Sequence, residues 1–394
     1  SAMAAAPPAP LHGILVVDMT HVVAGPHCTR VLCDLGARVI KVETKEGGSD
    51  MLRYFQPRVA KGDLSSDSAY FAQVNAGKES IVLDIEKKAE DREVFEQLLA
   101  EADVLVENWR PGKLERIGYN WEMLHAKYPR LIVCSISGFG QTGPYRNFTS
   151  VDTITQAMSG FVNGTGFPDQ PVKVGTTISD FTAGVYGVVG IQAALLSRTT
   201  TGLGRYVDIS MLDASFAYHA REFSIYQVLG KEPERMGNAT TVSPAMGIYQ
   251  CADGKYIAVA GGHDPEVLGV VLQAPEIGKD PRFQTYELMM HNHLALKEAM
   301  DAAIRRKPRS EWLQYLRELG APAGPVNDMR DLSGDPQLAH RRMLRASKDG
   351  RFTLVGNPVK MTGLTDPEVV QGPPIADEHG AAIRAELKAK RQSK

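Results

Sequence analysis

Asp180 stands in ISDFTAG (178–184), at the head of the apolar run VYGVVGIQAALLS, and two kinds of chemistry suit a carboxylate there. Either Asp180 or its neighbour Ser179 can cap a helix by accepting hydrogen bonds from first-turn amides. A carboxylate at a helix start can also act as a nucleophile. Residue types alone leave both roles open. A second chemical stretch is ENWRPGKLERIG (107–118), where Arg110, Lys113 and Arg116 bring three cations within seven residues. Following a parallel strand, these cations could hold a phosphate, although a solvated basic turn would have the same composition.

Other chemistries lack their residues. None of the ten histidines falls in HExxH or a comparable spacing, so no metal site is expected, and no GxSxG elbow occurs. The turn MTHVVAGPH (19–27) follows an N-terminal strand but lacks GxGxxG, and GxxxxGK before Ser or Thr is missing. Glu43 closes the second strand, where an acid could bind a ribose, but it stands alone. Nicotinamide and ATP chemistry are therefore disfavoured.

The elements that must position these residues are those of a soluble globular protein. At 394 residues, 43% hydrophobic and 23% charged, the chain is long for one core, so two or three domains are expected. A net charge of -2 gives no reason to expect a nucleic-acid partner, so an anionic ligand must find local cations. Cys28, Cys33, Cys134 and Cys251 form no CxxC, which fits reduced thiols in the cytoplasm. SAMAAAPPAP (1–10) reads as a cloning scar and a flexible tail without a targeting pattern; a mitochondrial leader removed before it would leave no trace. The run Phe181 to Ser197 falls short of the ~20 residues that span a bilayer, so a buried helix is expected and no membrane. Ala183, Gly187, Gly190 and Ala194 give that helix a small-residue face for close packing.

Strand and helix signals alternate through the first 140 residues: GILVVDMT (13–20), a helix after Pro26, ARVIKVE (37–43), SIVLDI (80–85), a helix over 91–102, DVLVEN (103–108), a helix at WEMLHAKYPR and LIVCSIS (131–137). This is the pattern of an open α/β parallel sheet, with ligands expected beyond the strands' carboxyl ends. The stretch 246–330 reads as a smaller α+β unit whose hairpin turns at Asp253-Gly254. GAPAGPVNDM (320–329) is a turn-rich joint, FTLVGNPVKMTG (352–363) adds strand-like residues, and the tail from Asp377 is a charged helix expected to be exposed.

The ordered segments VVDMTHVVAGPHCTRVLCDLGARVIKVE, GKESIVLDI, VENWRPGKLERIG, SISGFGQTGP, VGTTISDFTAG, TTGLGRYVDISMLDA, GAPAGPVND and VGNPVKMTG resemble the class III coenzyme A transferase family, also called the CaiB/BaiF or carnitine-dehydratase type. The likeness runs from about Gly13 to Gly363. It implies a Rossmann-like large domain over 11–225 completed by 331–394, a small α+β domain with linkers over 226–330, and two subunits interlocked as a homodimer. It places the family's nucleophilic aspartate on Asp180 and coenzyme A contacts on Val23, Ala24, Leu83, Asn108 and Arg116, with His21, Trp109 and Arg110 as neighbours. Thr44 departs from the family, standing where relatives often carry an arginine that holds the adenine region; Lys45 follows it.

The activity the resemblance implies moves coenzyme A from an acyl-CoA, with succinyl-CoA as the expected donor, to a free acid, through an aspartyl anhydride and an aspartyl-CoA thioester. Coenzyme A thioester is then a substrate, and no permanent cofactor or metal is expected. Relatives specific for formyl-CoA and oxalate carry a glutamine where this chain has Val23, and a tetraglycine loop it lacks, so formyl-CoA:oxalate specificity is disfavoured and a dicarboxylate system using succinyl-CoA is expected. Arg221 and Arg235 are its possible anchors. GNATTVSPAMG (237–247) is the expected lid over the site, with an ordinary interdomain connection as its plainer reading. An α-methylacyl-CoA racemase of the same fold would need a histidine where Val151 stands, and a passive acyl-CoA-binding protein would need no aspartate at 180.

Overall fold

The computed structural model describes residues 8–45, 48–59, 68–240, 243–262, 264–364 and 366–393. Most of the expected N-terminal tail, together with Thr241 and Val242 of the expected lid, lies outside the described residues. The chain forms two units. One comprises Ser1–Phe161, Lys173–Lys231 and Pro336–Lys394, and the other Val162–Val172 and Glu232–Asp335.

The first unit is built on six parallel strands: β1 (Leu15–Asp18), β2 (Arg38–Glu43), β3 (Glu79–Val82), β4 (Val104–Glu107), β5 (Ile132–Ser137) and β6 (Tyr206–Ser210). Their spatial order is β3-β2-β1-β4-β5-β6, so the winding reverses between β1 and β4. A crevice opens at such a reversal, beyond the carboxyl ends of the two strands. The strands are apolar on both faces because helices cover both. Val16 faces one core, with Cys28, Leu32, Ala183 and Ile191, while Val17 faces the other, with Phe95, Leu98 and Leu124.

The helices of this unit include α1 (Ala24–Asp34), α2 (Ala69–Asn75), α3 (Ala89–Glu101), α4 (Trp121–Lys127), α5 (Asp152–Ser159), α6 (Ile178–Thr201), α7 (Met211–Phe216) and α8 (Ala220–Leu229). α6 has the length and composition of a membrane span, but one face is buried in the protein. Its small residues explain how. A Cβ on Gly184 would lie 2.8 Å from the Ala24 carbonyl, and one on Gly187 3.0 Å from Cys28 Sγ, so α1 and α6 approach closely only because both positions are glycine. The opposite face is not buried as the sequence reading expected of the helix, since Val185, Val189 and Leu196 are exposed there.

Two further features go beyond the sequence reading. YVDIS supplies the sixth strand, paired with β5. The C-terminal helix Gly380–Gln392 is charged but not free-standing: Ile383 and Leu387, one turn apart, are buried against the α3 side of the sheet. The segment before it seals the edge strand β3, with Asp377 Oδ1 accepting from Val82 N at 2.8 Å and His379 N donating to the Ser80 carbonyl at 3.0 Å.

The second unit contains an antiparallel sheet of β7 (Gly247–Gln250), β8 (Tyr256–Val259) and β9 (Ala323–Pro325), in the order β9-β8-β7. Asp253-Gly254 makes the expected hairpin turn, with Gly254 at φ +75°. The turn-rich joint at 320–329 provides β9. Helices His293–Ile304 and Arg309–Glu318 pack Met300, Trp312 and Leu316 against the sheet's inner residues Tyr249 and Ile257.

Candidate active site

The reversal between β1 and β4 brings two strand-end turns together. Asn108, after β4, accepts from His21 N through Oδ1 at 2.8 Å and donates to the His21 carbonyl through Nδ2 at 2.8 Å. The next residue, Val22, has φ +62°, which a β-branched side chain rarely adopts. It is held there by Asp50, whose Oδ1 accepts from Val22 N at 3.0 Å and whose Oδ2 pairs with buried Lys41 at 3.0 Å. Gly25 is required nearby, since a Cβ would come within 2.4 Å of Thr20. The corner delivers the chain to α1, whose N-cap Val23 makes no side-chain cap bond. The first amides of α1 have no partner within the helix and suit an anion or a carbonyl oxygen.

Trp109 forms the facing wall. Its backbone N donates to Glu107 Oε2 at 2.8 Å, and its indole N–H meets His21 Nε2. That contact assigns the His21 proton to Nδ1, which is buried and unpartnered. Burial pushes the Glu107 carboxyl up to about 7. Of the three cations in the basic turn, Lys113 pairs with Glu86, whereas Arg110 and Arg116 are exposed without an ion pair among the described residues.

Asp180 is the third residue of α6, and here the structure corrects the capping alternative. The N-cap is Thr177, and neither Ser179 nor Asp180 caps the helix. The acceptor comes instead from α5: buried Asp152 takes Ser179 N onto Oδ1 at 3.0 Å. Asp152 Oδ2 also accepts from Gln156 Nε2 at 2.7 Å, and Gln156 Oε1 accepts from Val174 N at 2.9 Å, fastening the approach to α6. Tyr70 of α2 meets the Thr177 hydroxyl at 3.1 Å. With these duties met by others, the half-buried Asp180 carboxylate has no hydrogen-bond partner among the described residues. Burial first, and the like charge of Asp152 second, push it up to about 7.

A cleft of about 250 Å3 joins these parts, and its lining includes His21, Val23, Ala24, Asn108, Trp109, Arg110 and Asp180. Asp152 and Ser137 line it as well. Sequence reasoning gave neither a role; the acid four residues before Gln156 was their one visible signal. Leu83 and Arg116 do not line this cleft. Leu83 is fully buried with both backbone groups bonded, its N to the Glu43 carbonyl and its O to Ile85 N. Arg116 sits on the helical turn Lys113–Arg116.

Glu43 is no ribose ligand, because it is buried against Arg53, whose Nε lies 3.1 Å away. Thr44 donates its N–H to Ser49 Oγ at 3.2 Å and Lys45 is exposed. Arg235 is spent on the carbonyls of Asn163, Phe167 and Pro168, so it is not an anchor for a substrate carboxylate, and Arg221 pairs with Glu222 at 3.2 Å. No group of three or more His, Cys, Asp or Glu placed to hold a metal occurs among the described residues.

A basic, unpaired carboxylate beside helix-start amides can attack an activated carbonyl. Comparison with known proteins identifies the chain's family and relatives. The family model described as CoA-transferase family III matches residues 11–380. The chain is 42% identical to the acetyl-CoA:oxalate CoA-transferase of Acetobacter aceti, covering 98% of this chain and 97% of that one. It is 35% identical to the succinate–glutarate CoA-transferase of Agrobacterium fabrum, covering 96% of each. A crystal structure of a CAIB/BAIF family protein from Brucella suis superposes with a TM-score of 0.87 at 38% identity, covering 97% of this chain and all of that one.

Proposed function

The chain belongs to CoA-transferase family III, and from that membership we propose how its own residues carry the exchange. It is an enzyme that moves coenzyme A from an acyl-CoA to a free carboxylic acid. Asp180 attacks the thioester carbonyl, forming a C–O bond as the C–S bond breaks and coenzyme A leaves as thiolate. The thiolate then attacks the Asp180 carbonyl of the mixed anhydride and expels the first acid as its carboxylate. The acceptor carboxylate repeats both steps in reverse order and departs as the new thioester. Each step exchanges one acyl bond for another, so no ATP is consumed. The first-turn amides of α1, and the amide of Asp180 itself on α6, are the groups suited to bind the oxyanions, since Ser179 N is taken by Asp152.

The observation that carries this reading is the state of Asp180: it lines the cleft, its carboxylate is unbonded, and burial raises it to about 7. A carboxylate stripped of donors is more basic and more nucleophilic than one in water. A dicarboxylate is the acceptor class we infer, with succinyl-CoA as donor; oxalate and glutarate in the names of the relatives support that class. Val151 at the racemase position supports transfer over α-proton exchange.

The same reading includes an interlocked homodimer in the cytoplasm. Apolar residues left exposed on α6 and α8, among them Val189, Leu196, Val228 and Leu229, support a partner surface. Free cysteines support a reducing compartment. The test is intact-protein mass spectrometry after incubation with succinyl-CoA, followed by hydroxylamine. A coenzyme A adduct, converted to a hydroxamate at Asp180 and missing in D180N, is expected. Acyl exchange by D180N at wild-type speed would overturn the assignment.

A further inference from the structure

Asp152 is placed as no ordinary cap would need to be. It belongs to α5, yet it terminates α6 by accepting from Ser179 N at 3.0 Å, and this brings a second carboxylate into the cleft that Asp180 lines. A neutral acceptor such as Ser, Thr or Asn could have satisfied the same amide. Asp152 is buried, its second oxygen is tied to Gln156 at 2.7 Å, and none of its hydrogen bonds comes from a cation. Its negative charge therefore acts on Asp180 through a medium of low dielectric, where like charges repel strongly.

We propose that Asp152 is a positioning residue whose charge favours the covalent states of Asp180 over the free carboxylate. This rests on the assignment of Asp180 as nucleophile. Its physics is a charge balance. When Asp180 attacks the thioester and the thiolate then displaces the acid, the aspartyl group passes from one negative charge to none, and the released acid carries that charge away. Acylation thus relieves the repulsion from Asp152 just as protonation does, so the burial and like charge that raise Asp180 also stabilise the aspartyl thioester against reversal, in which the expelled acid returns, the acyl-CoA re-forms and Asp180 regains its negative charge. The other titratable groups around Asp180 do not offset this. Tyr70 from α2 is bonded to Thr177, His27 from α1 packs edge-on to Phe181, and burial lowers both His21 and His27, keeping them neutral. Arg110, the one Lys or Arg among the cleft's described lining residues, is exposed.

The test compares wild type, D152N and D152E, each mixed with succinyl-CoA and a fixed excess of succinate, then acid-quenched for intact mass. Asn keeps an oxygen for Ser179 N while removing the charge, and Glu keeps the charge. The ratio of thioester adduct to free Asp180 is expected to fall about tenfold in D152N for each unit by which the acid limb of kcat/KM against pH moves down, and to be largely restored in D152E. Thermal melting separates this from unfolding, because a misfolded variant loses its transition, whereas a folded D152N must show the paired shifts. A folded D152N with an unchanged adduct ratio and acid limb would overturn the inference and leave the nucleophile assignment intact. Absence of any adduct in wild type would overturn the assignment itself, and this inference with it.

Discussion

Asn108 holds His21 at both ends of its backbone, accepting its N–H and donating to its carbonyl, each at 2.8 Å. One side chain from the turn after β4 thereby locks the turn after β1, and the left-handed Val22 follows directly. A strained residue persists only where its surroundings over-determine it. Asn108→Ala removes both bonds and leaves two backbone groups unpaired, at on the order of 1–3 kcal/mol. The expected result is a rise in KM for acyl-CoA of about ten- to a hundredfold with a smaller change in kcat, measured by steady-state kinetics.

The pH dependence follows from Asp180. On the proposed mechanism only its carboxylate attacks, and burial with Asp152 raises it to about 7. Hence kcat/KM should increase about tenfold per unit on the acid side and level off above about 7. A profile already flat from pH 5 would contradict this.

Stability should run the other way. A carboxyl raised in the folded state holds its proton more tightly there than in the unfolded chain, where 3.8 is its ordinary value. Stability is then lost as pH rises from about 4 to about 7 and stays lost above. D180N removes the charge and should stabilise the protein at pH 8 by on the order of 1–2 kcal/mol, discounted for partial exposure, with little effect at pH 4. Denaturant melts at the two pH values measure the difference.

Gly184→Ala places a Cβ 2.8 Å from the Ala24 carbonyl and 3.3 Å from Cys28 N. Backbone cannot yield as a side chain tip does, so α1 and α6 must separate, at about 1–3 kcal/mol. Asp180 and Ala24 ride on those two helices, so activity should fall more than a stability loss of that size explains. Urea titration and kcat/KM on the same protein test this.

Lys41→Met would strand Asp50, which is buried and also holds Val22 N. Breaking such a pair from one side costs about 3–5 kcal/mol. Reduced soluble yield and a lowered denaturation midpoint are expected, with Asp50→Asn in the Lys41→Met background recovering part of the loss.

Much of the first unit was legible because its strands are short apolar runs bounded by turns, a pattern that survives whatever packs on either side. β6 was less visible, since YVDIS alternates over only five residues between two helices. The C-terminal helix looked exposed because five of its 13 residues are charged and its apolar ones are mostly alanine, yet a stripe of Ile383 and Leu387 is enough to dock it. At the site, Asp180 could be named from its place at a helix start and from family likeness. What leaves it unbonded could not be: Asp152 lies 27 residues from the amide it satisfies, and only the fold brings them together. The left-handed backbone of Val22 carries no signal in a residue type that avoids that region.

The sealing of β3 by Asp377 and His379 has a bearing on synthesis. β3 leaves the ribosome almost 300 residues before the segment that covers its outer rim, so during translation the nascent sheet presents a bare row of peptide groups. A chain halted before Pro336 should therefore self-associate, and nascent chains should depend on chaperone protection until the last turn emerges.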